Sequence, residues 1–240
     1  MADADHTATG SPVLKSGEIA AIAPKFAEGY ARVRDVTDHD GACPAWAKAL
    51  FMSAAAAVRD HDAMCRREMK RSVELGLEQT AADGAALGVL ISRGEAVYER
   101  FRAAVDRAFE ITRPSGPAHA PGFEIDRQGA LDYFTDYFGF VPSYIDLMAD
   151  EASRGLEGYV LMRQWSLAEN PLGAKWVELM LCTMNAAEFS SRFVNVHANG
   201  ARAAGATEAE IVESVVCAIP VSGVAAWLPG ADGVMEGRQN

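Results

Sequence analysis

Paired cysteines are missing from this sequence of 240 residues. The four that exist, Cys43, Cys65, Cys182 and Cys217, are scattered, form no C-x-x-C pair and have no histidine at ligand spacing. That excludes a disulfide scaffold and the common zinc sites and leaves reduced thiols. Long apolar runs are missing too. Ala54 to Val58, and Ile219 to Leu228 broken by Pro220 and Ser222, fall well short of the roughly 20 residues of a membrane-spanning helix. There is no basic excess either: the net charge of −11 repels nucleic-acid phosphates and anionic lipid surfaces, so neither a nucleic acid nor a membrane is an expected partner. The opening MADADHTATGSPV has acidic residues where a signal peptide carries basic ones, and no apolar stretch follows. Residues 1–13 read as a disordered tail on a cytoplasmic protein. No phosphate loop, G-x-S-x-G elbow or H-E-x-x-H motif occurs. His6, His39 and His119 stand apart from one another in tail, polar loop and linker, so no metal is expected.

What is present is ordinary globular material, half apolar with 23% charged residues. The segment Arg113 to Phe123, RPSGPAHAPGF, concentrates prolines and glycines that forbid a continuous helix, and residues 113–124 read as a linker. An offset of 129 residues then brings Glu28-Gly29-Tyr30 onto Glu157-Gly158-Tyr159, Arg34 onto Arg163, Gly76 onto Gly205 and Gly94 onto Gly223 without a gap. The chain reads as a tandem duplication, 14–112 and 125–235. Apolar residues recur at three- and four-residue steps, as in Ile19, Ile22, Phe26, Tyr30 and Val33, and strand alternation is nowhere convincing. Gly76 and Gly205 each close an amphipathic stretch, with Thr80 and Thr207 as N-caps and Glu210 completing a capping box on Thr207. One such repeat alone leaves an apolar face uncovered. The fold expected is therefore all-α, two helical repeats packed with pseudo-twofold symmetry.

The stretch from Leu172 to Trp227, with its H-x7-G-A-T segment His197 to Thr207 and the following SGVAA run, resembles the carboxymuconolactone decarboxylase family, whose all-helical fold is shared with the alkylhydroperoxidase D proteins. The peroxidase branch of that family carries a glutamate, a C-x-x-C pair twelve residues on, and a histidine four residues beyond the second cysteine. Glu178 and His197 stand at the corresponding separation, but Ser190 and Phe193 occupy the cysteine positions. The first half looks like a more diverged copy, with Ala49 opposite Glu178, Glu68 opposite His197 and His61 opposite Ser190. Disulfide-based peroxide reduction needs one thiolate to attack and a second thiol to resolve, so this departure removes that reaction. The resemblance then implies the decarboxylase branch, whose members use neither metal nor organic cofactor and act on small lactone acids.

His197 follows Phe193 and Val194 by one turn on the same helix and so faces inward, either as a proton-transfer group or as a core histidine bonded to a carbonyl. Glu178 lies in the apolar run Trp176 to Leu181, where a carboxylate needs a partner, and His197 is the natural one unless Glu178 reaches to solvent. These two are the expected catalytic pair. Arg163 and Tyr159 repeat Arg34 and Tyr30, which suits packing, or in Arg163 a bidentate hold on a substrate carboxylate. Lys48, His61 and Glu68 form a second constellation in the first half, but Glu68 stands in the charge run Arg66, Arg67, Lys70 and Arg71 that usually marks a solvated face. The substrate-binding candidates are accordingly Arg163, Tyr159, Ser190, Lys48 and His61. The first repeat is expected mainly to complete the fold and the second to bear the site.

Together these features point to a cofactor-free lyase acting on a small-molecule substrate, or to a catalytically silent binding or assembly protein on the same scaffold. Relatives with one repeat per chain form rings. A chain with two repeats is expected to form a smaller homo-oligomer, a dimer or trimer, and light scattering that shows only monomer at micromolar concentration would contradict this.

Overall fold

A computed structural model describes residues 10–113, 116 and 122–237. All regular structure among them is helical: α1 (Pro12–Lys15), α2 (Glu18–Ile22), α3 (Pro24–Asp38), α4 (Ala45–Val58), α5 (Asp62–Glu74), α6 (Gln79–Arg93), α7 (Glu95–Ala108), α8 (Arg127–Phe138), α9 (Ser143–Glu151), α10 (Ser153–Gln164), α11 (Ala174–Ala187), α12 (Ser191–Ala203), α13 (Glu208–Val216), α14 (Ile219–Ser222) and α15 (Trp227–Glu236). A π-helical turn, Trp165–Glu169, follows α10, and a 3-10 turn, Val224–Ala226, precedes α15. No described helix is long and apolar enough to cross a membrane. The described residues divide into two compact units, one holding those up to 111 and from 171 onward, the other 112–170.

In the larger unit α4 and α11 pack on each other at the centre. Alanines on α4, among them Ala47, Ala54, Ala55, Ala56 and Ala57, are fully buried and hold the helix close to its neighbours. Trp176 of α11 meets Trp46 edge-on at 5.4 Å and lies 6.4 Å from Phe51. α5 covers α4 and α7 covers α5; in the same way α12 covers α11 and α15 covers α12. The bounds of α4 and α5 recur at α11 and α12 after 129 residues. Asp60 and Phe189, at φ 60° and 62°, are left-handed at the same register. Where α6 runs on to Arg93, its counterpart α13 stops at Val216. Pro220 explains the break, because it lacks the N–H and clashes with the preceding turn.

The smaller unit folds α8, α9 and α10 around Ala130, Phe134, Ile145, Leu156 and Val160. Asp126 caps α8 by accepting from the Gly129 N–H at 2.8 Å, and left-handed Gly139 ends it. Having its own apolar cluster, this segment is a compact unit by itself, whereas the sequence places it with α11–α15 in one repeat, 125–235.

Other sequence expectations need revision. Residues 1–9 of the supposed tail, with His6, lie outside the described residues, as do 114–115 and 117–121 of the linker, with His119. Residues 10–13, however, are ordered: the Gly10 N–H donates to Asp38 Oδ2 at 2.9 Å, and Ser11, 2% exposed, caps α1. Thr80 lies inside α6, whose N-cap is Glu78. Thr207 does cap α13, and with Glu210 it forms the full capping box.

Lys48, expected among the substrate ligands, is 1% exposed, its ammonium donating to the Val36 carbonyl at 2.7 Å and to Glu213 Oε2 at 3.1 Å. Glu213 of α13 also accepts from the backbone N–H groups of Ala42 and Cys43, both at 2.9 Å. The carboxylate thus ties the loop before α4 to a helix of the second half. A Cβ at Gly41 would lie 2.5 Å from Glu213 Oε1, so only glycine admits this approach. Burial disfavours the charge on Glu213, but the Cys43 and Ala42 N–H groups and Lys48 outweigh it and hold the carboxyl below its ordinary range. A depressed carboxylate contributes stability above its unfolded pKa, and loses it as pH falls through the folded value. Glu213→Gln is expected to cost about 2 kcal/mol at neutral pH. In urea unfolding, the gap from the parent protein should close as pH falls below about 4; a gap that persists in acid would assign the loss to packing.

Candidate active site

α11 and α12 are consecutive helices joined through residues 188–190, and they pack side by side. This brings Glu178 and His197 together, with His197 Nδ1 2.7 Å from Glu178 Oε2. The glutamate side chain is 7% exposed and the imidazole 20%. Burial leaves Glu178 in need of a hydrogen-bonded partner, and His197 supplies it. Gly200, three residues beyond His197, makes the room: a Cβ there would stand 2.6 Å from the Glu178 carboxyl carbon. With Nδ1 held by the carboxylate, Nε2 has no protein partner among the described residues, on a ring that is partly exposed. A histidine so oriented gives up or takes a proton at Nε2 while the carboxylate fixes its tautomer and balances the imidazolium.

Ser190 is the N-cap residue of α12, but its side chain makes no capping hydrogen bond. Phe193, at the other cysteine position, is half exposed. Arg163 and Tyr159 belong to the smaller unit. There the Arg163 guanidinium lies 4.4 Å from the centre of the Tyr137 ring, and its buried Nε has no hydrogen-bond partner. Burial opposes the charge of Arg163, yet Tyr133, Tyr159 and Tyr137 around it raise its pKa overall.

His61 lies elsewhere in the larger unit, on a cleft of about 470 Å³ that neither Glu178 nor His197 lines. Tyr30, Arg34, Met64 and Arg67 form walls of the same cleft, with Pro12 and Pro220 at its edge. Beneath it Glu68 is fully buried, not solvated as its charge run suggests. Arg34, Arg67 and Arg71 surround its carboxylate at 3.4, 3.1 and 3.4 Å. The register would have revealed this: Glu68 corresponds to His197, which faces inward, and Arg34 lies on the helix that precedes α4.

The thiols are chemically quiet. All four are buried, and burial above all pushes Cys65 up to about 11 and Cys43 to about 12, with Cys182 and Cys217 raised further. Among the described residues no three His, Cys, Asp or Glu side chains converge on a metal position.

No family model matches the chain, and no curated protein matches it. Among solved structures, a protein from Burkholderia xenovorans named as a candidate gamma-carboxymuconolactone decarboxylase subunit shares the fold, at 18% identity and a TM-score of 0.58, the match spanning 96% of this chain and 92% of that one. The chain therefore has the all-α architecture of that protein.

Gly200→Ala would force the Glu178 carboxylate away from His197 and is expected to destabilise the protein by about 1–3 kcal/mol through overpacking. Nitrogen NMR of the imidazole above neutral pH reads the consequence directly. The parent protein should show the proton fixed on Nδ1, and the variant a mixture of tautomers; an unchanged tautomer would mean that the carboxylate does not set it.

Proposed function

We propose that the protein is a cofactor-free lyase of the carboxymuconolactone decarboxylase type, acting on a small lactone or keto acid through an enolate-like intermediate. The observation that carries this is the 2.7 Å contact of a nearly buried carboxylate with the Nδ1 of a partly exposed histidine whose Nε2 is open. In the proposed step the bond to the departing carboxylate breaks and CO2 leaves. The electron pair remains on the substrate as an enolate, and Nε2–H of the imidazolium delivers the proton to carbon. Water then reprotonates the imidazole. Glu178 positions the ring and balances its charge.

Support comes also from the fold shared with the Burkholderia xenovorans protein, which gives the scaffold and not the substrate. The recurrence of helix bounds and left-handed turns at an offset of 129 residues supports a tandem duplication whose second copy carries the dyad. A second reading, a non-catalytic binding protein, is favoured by one observation: the described cleft lies in the first half and is lined by neither dyad residue.

Small lactone and keto acids tested for CO2 release by the purified protein decide between the two. With a turned-over acid in hand, His197→Gln should lower kcat by about 10²–10⁴-fold, since glutamine keeps size and hydrogen bonding but shuttles no proton. Glu178→Gln should cost less, because it weakens orientation and leaves the donor. Turnover of no acid, or full activity in the His197 variant, would reject the lyase.

A further inference from the structure

We infer that the cleft in the first half of the chain binds a small organic monocarboxylate with a short apolar body. This site is separate from the dyad and does not rest on the lyase assignment. Its floor is an ion network with unequal charge. Asp38 and Glu68, both with fully buried carboxylates, are shared by three guanidinium groups, those of Arg34, Arg67 and Arg71. Among the described residues this leaves one positive charge over, and Arg67, the most exposed of the three, carries it to the cleft wall. The acidic side chains on the cleft's rim do not neutralise it. Asp60 and Asp62 each lie 2.7 Å from Arg100, and Arg66 reaches Asp62 at 3.9 Å, so these two anions stand against two cations of their own.

Two guanidinium groups in the cleft wall also retain donor capacity. Arg34 is 1% exposed, and its Nη1 meets only the Met52 sulfur, at 3.6 Å, a weak acceptor. Arg67, 35% exposed, directs Nε and Nη2 to Glu68 Oε1, while its Nη1 has no protein partner among the described residues. Tyr30 and His61 add a hydroxyl and an imidazole to the same cavity. The charge left over is a single one, which fits one carboxylate rather than two, and an arginine fork binds a carboxylate well. Pro12, Val13, Ala63, Met64 and Pro220 supply the apolar remainder of the lining, and about 470 Å³ falls in the usual range of small-molecule sites.

The probe is benzoate, with benzamide as its uncharged analogue and inorganic phosphate as a purely ionic competitor, titrated calorimetrically into the full-length protein at low salt. Benzoate is expected to bind one per chain and saturably below ~10 mM, with benzamide and phosphate each at least about ten-fold weaker. Arg67→Gln removes the surplus charge while leaving Arg34 and Arg71 to pair with Asp38 and Glu68, so it should fold and weaken benzoate about ten-fold or more. No saturation by benzoate, equal binding of benzamide or phosphate, or unchanged affinity in a folded Arg67→Gln protein would each overturn the assignment. Loss of CO2-releasing activity in His197→Gln has no bearing on this titration, so the two proposals fail separately.

Discussion

The structure depends on the mutual burial of α4 and α11. Nearly every side chain on these two helices is inaccessible, so any charge they carry must be matched within the protein or be lost to the cost of desolvation. Each carries one. Lys48 on α4 is matched by Glu213, and Glu178 on α11 by His197. The first pairing draws α13 of the second half onto the loop that begins α4, and so serves the fold. The second pairing ends at an imidazole that reaches the surface, and so leaves a group able to exchange protons with something outside.

The two halves meet the same demand with different chemistry. Where the second half has Glu178, the first has Ala49; where it has His197, the first has Glu68; where it has Gly200, the first has Arg71. The three differences belong together. A carboxylate on α11 needs room on α12, and Gly200 gives it. With alanine on α4 no such room is needed, and the corresponding position on α5 carries an arginine that turns to Glu68 and Asp38. The buried carboxylate has moved from one helix of the pair to the other, and its partners have changed from one titratable imidazole to guanidinium groups that stay charged at every ordinary pH. The first arrangement suits proton transfer; the second suits a fixed positive field.

Much of this is legible in the sequence because it is local. Helix bounds follow from periodicity and from residues such as Thr207 with Glu210, whose capping chemistry involves neighbours only. The meeting of Glu178 with His197 was readable from a carboxylate set in an apolar run, since that pattern leaves few ways of satisfying the charge. Glu68 was not readable in the same way. Its neighbours Arg66, Arg67, Lys70 and Arg71 give the outline of a solvated face, and its decisive partner, Arg34, lies 34 residues away on another helix. The partner of Lys48 was hidden for the same reason, its anion being 165 residues distant. Order at residues 10–13 depends on one backbone donor reaching Asp38, an anchor that no composition rule anticipates. The independence of α8–α10 was hidden because an apolar cluster can form within a segment or across segments from one and the same pattern.

The thiols show which chemistry this core permits. Cys182 lies one turn beyond Glu178 on α11, where burial first and the carboxylate second both oppose a thiolate. A carboxylate set there to orient an imidazole therefore works against sulfur nucleophilicity in the same place, because its negative charge disfavours a thiolate. The groups that remain for chemistry are the ones with an open edge: Nε2 of His197 in the second half, and the guanidinium and imidazole groups of the cleft in the first. Both trace back to how each half settles the charge buried in its central helix pair.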